Sequence, residues 1–168
     1  ETQDKALKTQ NTDICFCACQ FIDEDSHRDW IWTPKDWSMI RWRSLFENSY
    51  GIHSSVMFRK DSIIQVGGYD NDIRYAQDYE LWSRCSLKGL RFTYIYKPLL
   101  QYRWRADGIS KKKLSEQEYN ARTISFRALR QYLPDTSDEE LKILRLLFQR
   151  QFKTNIKSDS FWGDDILI

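Results

Sequence analysis

The chain has 168 residues, of which 26 are Lys or Arg and 24 Asp or Glu, giving a net charge of +2; 41% are hydrophobic and 15% aromatic. This length and apolar share suit one folded domain and exclude a disordered tail, and the interspersed acids and bases argue against a dedicated nucleic-acid surface. No apolar run approaches the roughly 20 residues that cross a bilayer, and no charged-then-apolar signal segment opens the chain.

The sequence starts in what reads as the middle of a helix, without an initiator Met. Residues 13–22 read as a mostly apolar strand in which Cys15, Cys17 and Cys19 share one face and cannot pair with one another. Their one-residue spacing is unlike that of zinc ligands, so these cysteines and Cys85 are expected to be free thiols acting as small core residues in a reducing compartment. Asp23-Glu24-Asp25, followed by Ser26, has the letters of a metal motif but the composition of a solvated turn. Residues 34–46 are predicted helical, with Pro34 in the first turn and Trp37, Met39 and Ile40 turned inward. A strand is expected over 53–59, then a short helix capped by Asp61 that Gly67 and Gly68 terminate. The next helix spans 78–87 and stops at Gly89. A long strand follows over 91–104, interrupted at Pro98 as an edge or bulge would be. Lys111-Lys112-Lys113 reads as an exposed loop. Ser115-x-x-Glu118 and Ser137-x-x-Glu140 have the form of capping boxes opening two helices, with Pro134 between them, and residues 157–168 read as a tail packing through Phe161 and Trp162.

Asp78 is the residue of greatest interest. If it opens its helix, Leu81, Trp82 and Cys85 follow at spacings of three, four and seven, so a carboxylate shares the face that must be buried. A helix cap would account for it, since Asp is a good N-cap and favours the positive end of the dipole. A catalytic base would account for it equally in kind, because partial desolvation raises a carboxylate's proton affinity.

Four stretches occur in order: Ile52-His53-Ser54-Ser55-Val56-Met57-Phe58-Arg59-Lys60, Val66-Gly67-Gly68-Tyr69-Asp70, Gln77-Asp78-Tyr79-Glu80-Leu81-Trp82, and Pro98-Leu99-Leu100-Gln101-Tyr102-Arg103. Together they resemble the acceptor half of a family-2 glycosyltransferase of the GT-A fold. The resemblance extends loosely back to Glu1 and fades beyond Ser110. It implies an α/β fold, an incomplete GT-A domain over residues 1–110, with carboxy-terminal helices over 111–156 and the tail after them. It further implies that the nucleotide pocket and the Asp-x-Asp motif lie upstream of Glu1. A divalent cation, Mg or Mn, is then expected in the full-length enzyme through that half, and none in this segment.

The resemblance assigns Asp78 as the base of an inverting sugar transfer. Two positions depart from it: Gln77 stands where the family usually has Glu, and Arg105 where many relatives carry a His. His53 is implied to face the donor phosphates or the acceptor, or to be a hydrogen-bonded structural His. Gly67 and Gly68 are implied to approach the acceptor sugar, or simply to stop a helix. Trp82 is either a stacking platform for a sugar or a core residue. Arg103 and Arg105 alternate with Tyr102 and Trp104, so both should project from one face of the strand, facing pyrophosphate or solvent.

The expected partners are a nucleotide-sugar donor and a saccharide or lipid-linked acceptor, as in cell-surface polysaccharide biosynthesis, at a cytoplasmic site peripheral to the inner face of the membrane. Neither nucleic acid nor a membrane span is expected. An open strand edge left by truncation implies self-association of the segment. The alternatives are a carbohydrate-binding or partner-docking module without chemistry, and, last, a nucleic-acid binder using Arg and Trp.

Overall fold

The computed structural model describes residues 1–103 and 114–156. Its centre is the strand β1 (Ile14–Ile22), buried on both faces at all but one position. On one side β1 runs parallel to β4 (Phe92–Arg103). On the other side it pairs antiparallel with β3 (Met57–Phe58) near its start and with β2 (Arg28–Trp32) near its end. The fold is therefore mixed α/β with a mixed sheet. The β1–β4 register slips where Ala18 faces Pro98, which fits a residue that lacks an N–H to donate to the ladder.

The first face of the sheet carries the main core. Ile14, Phe16 and Phe92 pack there with Ile40, Tyr50, Ile63 and Val66 and with Tyr79, Leu81, Trp82 and Cys85 of helix α4 (Gln77–Leu87). Trp37 stacks on Phe92 with ring centroids 4.6 Å apart, bringing α2 (Trp37–Arg43) onto the same surface. On the opposite face Cys15, Cys17 and Cys19 are buried and unbridged, as is Cys85. Burial pushes the Cys15 and Cys19 thiols up to about 11 and Cys85 to about 12. Helix α1 (Thr2–Thr9) leans on this side, where Gln3 Nε2 donates to the carbonyls of Cys15 and Ser55 at 2.9 and 2.8 Å.

Helices α5 (Leu114–Leu129) and α6 (Asp138–Ile156) follow. Ala121 and Ile124 of α5 belong to the main core, whereas Phe126 and Leu129 join Phe46, Leu141 and Phe148 in a second cluster. Arg145 is buried between them and donates to Phe46 O at 2.8 Å, which ties α6 to the end of α2. Among the described residues no helix is long and apolar enough to cross a membrane.

Several expectations change. β2 is an additional strand, held as a hairpin partner by Phe21 stacked on Trp30 at 4.1 Å. Helix α2 starts three residues later than Pro34, because Asp36 accepts the Ser38 N–H at 2.9 Å and so provides the cap; Met39 on it is exposed. The expected 53–59 strand divides into a 3-10 turn (His53–Ser55) and two β residues. Asp61 sits in the first turn of α3 (Lys60–Val66) without capping it. Ser115 lies inside α5, so its expected capping box does not form there. The second box does form: Ser137 N–H donates to Glu140 Oε2 at 2.9 Å. The Lys111–Lys113 loop and the 157–168 tail lie outside the described residues.

Among the described residues Gly51 is the most tightly packed glycine. Its φ is +149°, and a Cβ there would lie 2.6 Å from Phe16 Cδ1 in the middle of the main core. Gly51→Ala is expected to destabilise the protein by about 2–3 kcal/mol, through overpacking and a φ that L side chains rarely adopt. A urea midpoint unchanged from the parent would disprove this.

Candidate functional site

Helix α4 is the element around which the site assembles. It is buried nearly all round, at Tyr79, Glu80, Leu81, Trp82, Ser83 and Cys85. Tyr79 is fully buried and its hydroxyl donates to Ser44 O at 2.8 Å, which fixes the helix in rotation and depth. Asp78 is the second residue of α4 and does not cap it: the N-cap is Ala76, with no side-chain cap bond. The cap explanation of Asp78 therefore fails.

Ala76 has φ +64°, in the left-handed region, and its methyl is buried in the main core. That conformation costs a non-glycine residue about 1–2 kcal/mol and persists only where the surroundings impose it. The chain is thus bent sharply just ahead of Asp78. The carboxylate is half-buried and accepts a hydrogen bond from Asn48 Nδ2 at 3.2 Å. The same amide has its Oδ1 buried without a hydrogen-bond partner among the described residues, so a polar acceptor lies beside the carboxylate.

Two further groups converge here. Burial, followed by the Asp78 charge, raises the Tyr69 phenol. Tyr69 Oη lies 3.4 Å from His53 Nε2, and the His53 ring is 6.0 Å from the Trp82 ring. His53 is exposed on the 3-10 turn, with its imidazole available to solvent. Asn48 thus holds Asp78, while Tyr69, which feels the Asp78 charge, meets His53 beside Trp82.

Gly67 and Gly68 close α3 through their backbones: Gly67 N–H donates to Ile64 O at 3.0 Å and Gly68 N–H to Ile63 O at 2.9 Å. With φ of +102° and +65°, both adopt conformations that favour glycine. Arg84 of α4 then clamps this turn, donating to Val66 O and, at 2.7 Å, to Gly68 O. Glu80 holds Arg84 in turn. Its carboxylate is 2% exposed, receives Arg84 Nε at 2.9 Å and Nη2 at 2.6 Å, and also pairs with Arg127 of α5 at 3.2 Å. The glycine turn that delivers Tyr69 is therefore locked to the helix that carries Asp78.

The remaining sequence candidates are placed differently. Trp82 is fully buried with its edge against Phe16, so no ring face is open for a sugar; packing density at the sheet decides this in favour of the core. Gln77 is exposed at the first position of α4. Arg103 spends its donors on the β1–β2 turn, giving Nη1 to Asp23 O and Glu24 O, both at 2.8 Å, and Nη2 to Ser26 Oγ at 3.0 Å. That turn has backbone carbonyls to satisfy, and the guanidinium satisfies them. Arg105 lies outside the described residues. No three His, Cys, Asp or Glu side chains group as metal ligands among the described residues, and Asp23 instead accepts from His27 at 2.8 Å.

Sequence reading gave no role of their own to Asn48, Tyr69, Ala76, Glu80 and Arg84, although Tyr69 and Glu80 lie in the stretches that carry the resemblance. Only the Glu80–Arg84 pair had a legible signal, its spacing of four on a helix. Asn48 reaches Asp78 across 30 residues, and nothing local announces that.

No family model matches the chain. Over 95 residues it is 28% identical to an uncharacterized glycosyltransferase of Methanocaldococcus jannaschii, a stretch covering 56% of this chain and 32% of that protein. The chain thus matches about a third of that relative's length, and the likeness supports a relationship to a glycosyltransferase over that part.

Proposed function

We propose that the chain is the acceptor-side part of a GT-A glycosyltransferase of family 2, in which Asp78 is the general base of an inverting transfer. The observation that carries the reading is the placement of Asp78: a half-buried carboxylate at a strained helix start, held by Asn48. The partial likeness to a glycosyltransferase supports it.

The donor is a nucleotide sugar and the acceptor a hydroxyl of a glycan or lipid-linked saccharide. The acceptor oxygen attacks the anomeric carbon, forming the new C–O bond as the bond to the β-phosphate oxygen breaks and the nucleoside diphosphate leaves with that electron pair. Asp78 takes the hydroxyl proton, which makes the oxygen a competent nucleophile. Asn48 Nδ2 holds the Asp78 carboxylate in position for that transfer. Donor binding and any metal are assigned to residues outside this segment, and no step here runs through a cation.

The test is product stereochemistry. The protein carrying this segment, given labelled UDP-, GDP- and dTDP-sugars with saccharide acceptors, is expected to release nucleoside diphosphate and yield a glycoside of inverted anomeric configuration by NMR. Retention of configuration, or no consumption of any donor, would overturn the proposal.

A further inference from the structure

The turn that follows α2 is gripped from three helices. Ser44 O accepts the Tyr79 hydroxyl of α4 at 2.8 Å, Leu45 O the Ser125 hydroxyl of α5 at 2.6 Å, and Phe46 O the Nε–H of Arg145 of α6 at 2.8 Å. Carbonyls at the end of a helix have no partner within it, and each of these three is satisfied by a different element. Tyr79 and Ser125 are fully buried and Arg145 is 8% exposed, so little water competes for the bonds. The Phe46 ring adds to the hold, stacked on Phe148 of α6 with centroids 3.9 Å apart.

Two residues further on is Asn48, whose own hold is slight. Its amide donates to Asp78 at 3.2 Å, the long limit of an N–H···O bond, and its Oδ1 is buried without a hydrogen-bond partner among the described residues. The side chain does not fix itself, so the backbone on either side must. Downstream, Tyr50 is buried in the main core and Gly51 abuts Phe16. Upstream, the fixed points are the three carbonyls. Asp78 and Tyr79, adjacent on α4, thus hold Asn48 and Ser44, the two ends of the segment 44–48.

We infer that Arg145, with Ser125, is a positioning residue for Asp78: the two carboxy-terminal helices set where residues 44–48 lie, and hence where the Asn48 amide meets the carboxylate, without touching substrate. The effect on turnover rests on the reading of Asp78 as base, whereas the coupling of Arg145 to Asn48 does not. The chemistry of Arg145 favours this role over filling space. A buried cation is costly to desolvate, and the carboxylates that act on it, Glu118 and Glu47, lie beyond ion-pair distance while Arg122 repels it. Met or Leu would pack against Phe46 at less cost. Neither could supply a donor for Phe46 O or a positive charge at the carbonyl end of α2. Precision is what such a bond contributes: a reacting group must be held within about 0.5 Å of its working place, and a misplacement of about 1 Å can cost about a hundredfold in rate.

The test reads the Asn48 side-chain amide by NMR in the isotope-labelled protein carrying this segment, with the signals assigned by their loss in Asn48→Asp. Asp78→Ala gives the position of the released amide. Arg145→Met is expected to move the Asn48 signals about half of the way to that position or more, and Arg145→Lys, which keeps the charge and a donor, to return most of the shift. Turnover should fall about tenfold in Arg145→Met with the donor KM within about twofold, and the same substitution should cost nothing further in Asp78→Asn. Ser125→Ala, which removes only the hydroxyl at Leu45 O, should move the amide in the same direction, and it carries the test if Arg145→Met does not fold. Asn48 signals unmoved in whichever of the two variants folds would overturn the inference. So would normal turnover in a folded Arg145→Met beside a slow Asp78→Asn, or an equal loss with and without the Asp78 carboxylate. Near-normal turnover in Asp78→Asn itself removes the assignment of the base, and the coupling of Arg145 to Asn48 then stands or falls on the amide signals alone.

Discussion

Asp78→Asn in the full-length protein carrying this segment is expected to reduce turnover by about a hundredfold or more, equivalent to about 2.7 kcal/mol of transition-state stabilisation. The substitution keeps the side-chain volume and removes the ability to take a proton. Donor affinity should hardly change, because the Asp78 carboxylate is held by the Asn48 amide and donor binding is assigned to residues outside this segment. Stability should fall by less than about 1 kcal/mol: the favourable placement of an anion in the first helical turn is lost, but no buried ion pair is broken. Steady-state kinetics with separate donor titration decides the matter. Near-normal turnover, or a loss of donor affinity parallel to the loss of turnover, would remove Asp78 from the role of base.

A larger effect on stability is expected two residues further along α4. Glu80→Ala should destabilise the fold by about 3 kcal/mol, the lower end of the range for removing one partner of a buried pair, because Arg84 and Arg127 retain 22% and 53% side-chain exposure and can recover some hydration. Glu80→Gln should cost less, since the amide oxygen still accepts one bond. The damage should spread along the clamp. Once Arg84 is no longer held, the carbonyls of Val66 and Gly68 lose an ordered donor, and the Gly68 amide that closes α3 should exchange faster with solvent. Denaturant unfolding and hydrogen exchange measure the two parts. A midpoint shift worth under about 0.5 kcal/mol, with Gly68 protection unchanged, would mean that the glycine turn stands without Glu80.

Much of the local architecture was legible from neighbouring residues. Helix α4 appears at 77–87 against an expected 78–87, because its apolar spacing and Gly89 act within a few residues. The same holds for the strand ending at Ile22, the glycine stop after Val66 and the Ser137 box. Where the reading went astray, a competing contact decided. Proline at 34 suggested a helix start, but the Asp36 carboxylate had a backbone N–H to cap. Residues 28–32 carry charges that hide a strand, and only the stacking of Trp30 on Phe21 reveals why they pair.

By itself, then, the sequence determined the main helices and the two long strands, where glycine must turn the chain, and that a carboxylate at position 78 shares a face with Leu81, Trp82 and Cys85. These follow from the periods of helix and strand and from side chains acting on their own backbone. Only the tertiary structure decided that Trp82 is sealed in the core, that Arg103 serves a turn, and that Asn48 holds Asp78. Those outcomes depend on residues 30 to 80 positions apart meeting across a packed sheet. A chain cannot announce such contacts locally, because they arise from what remains to be buried and hydrogen-bonded after every local preference has been met.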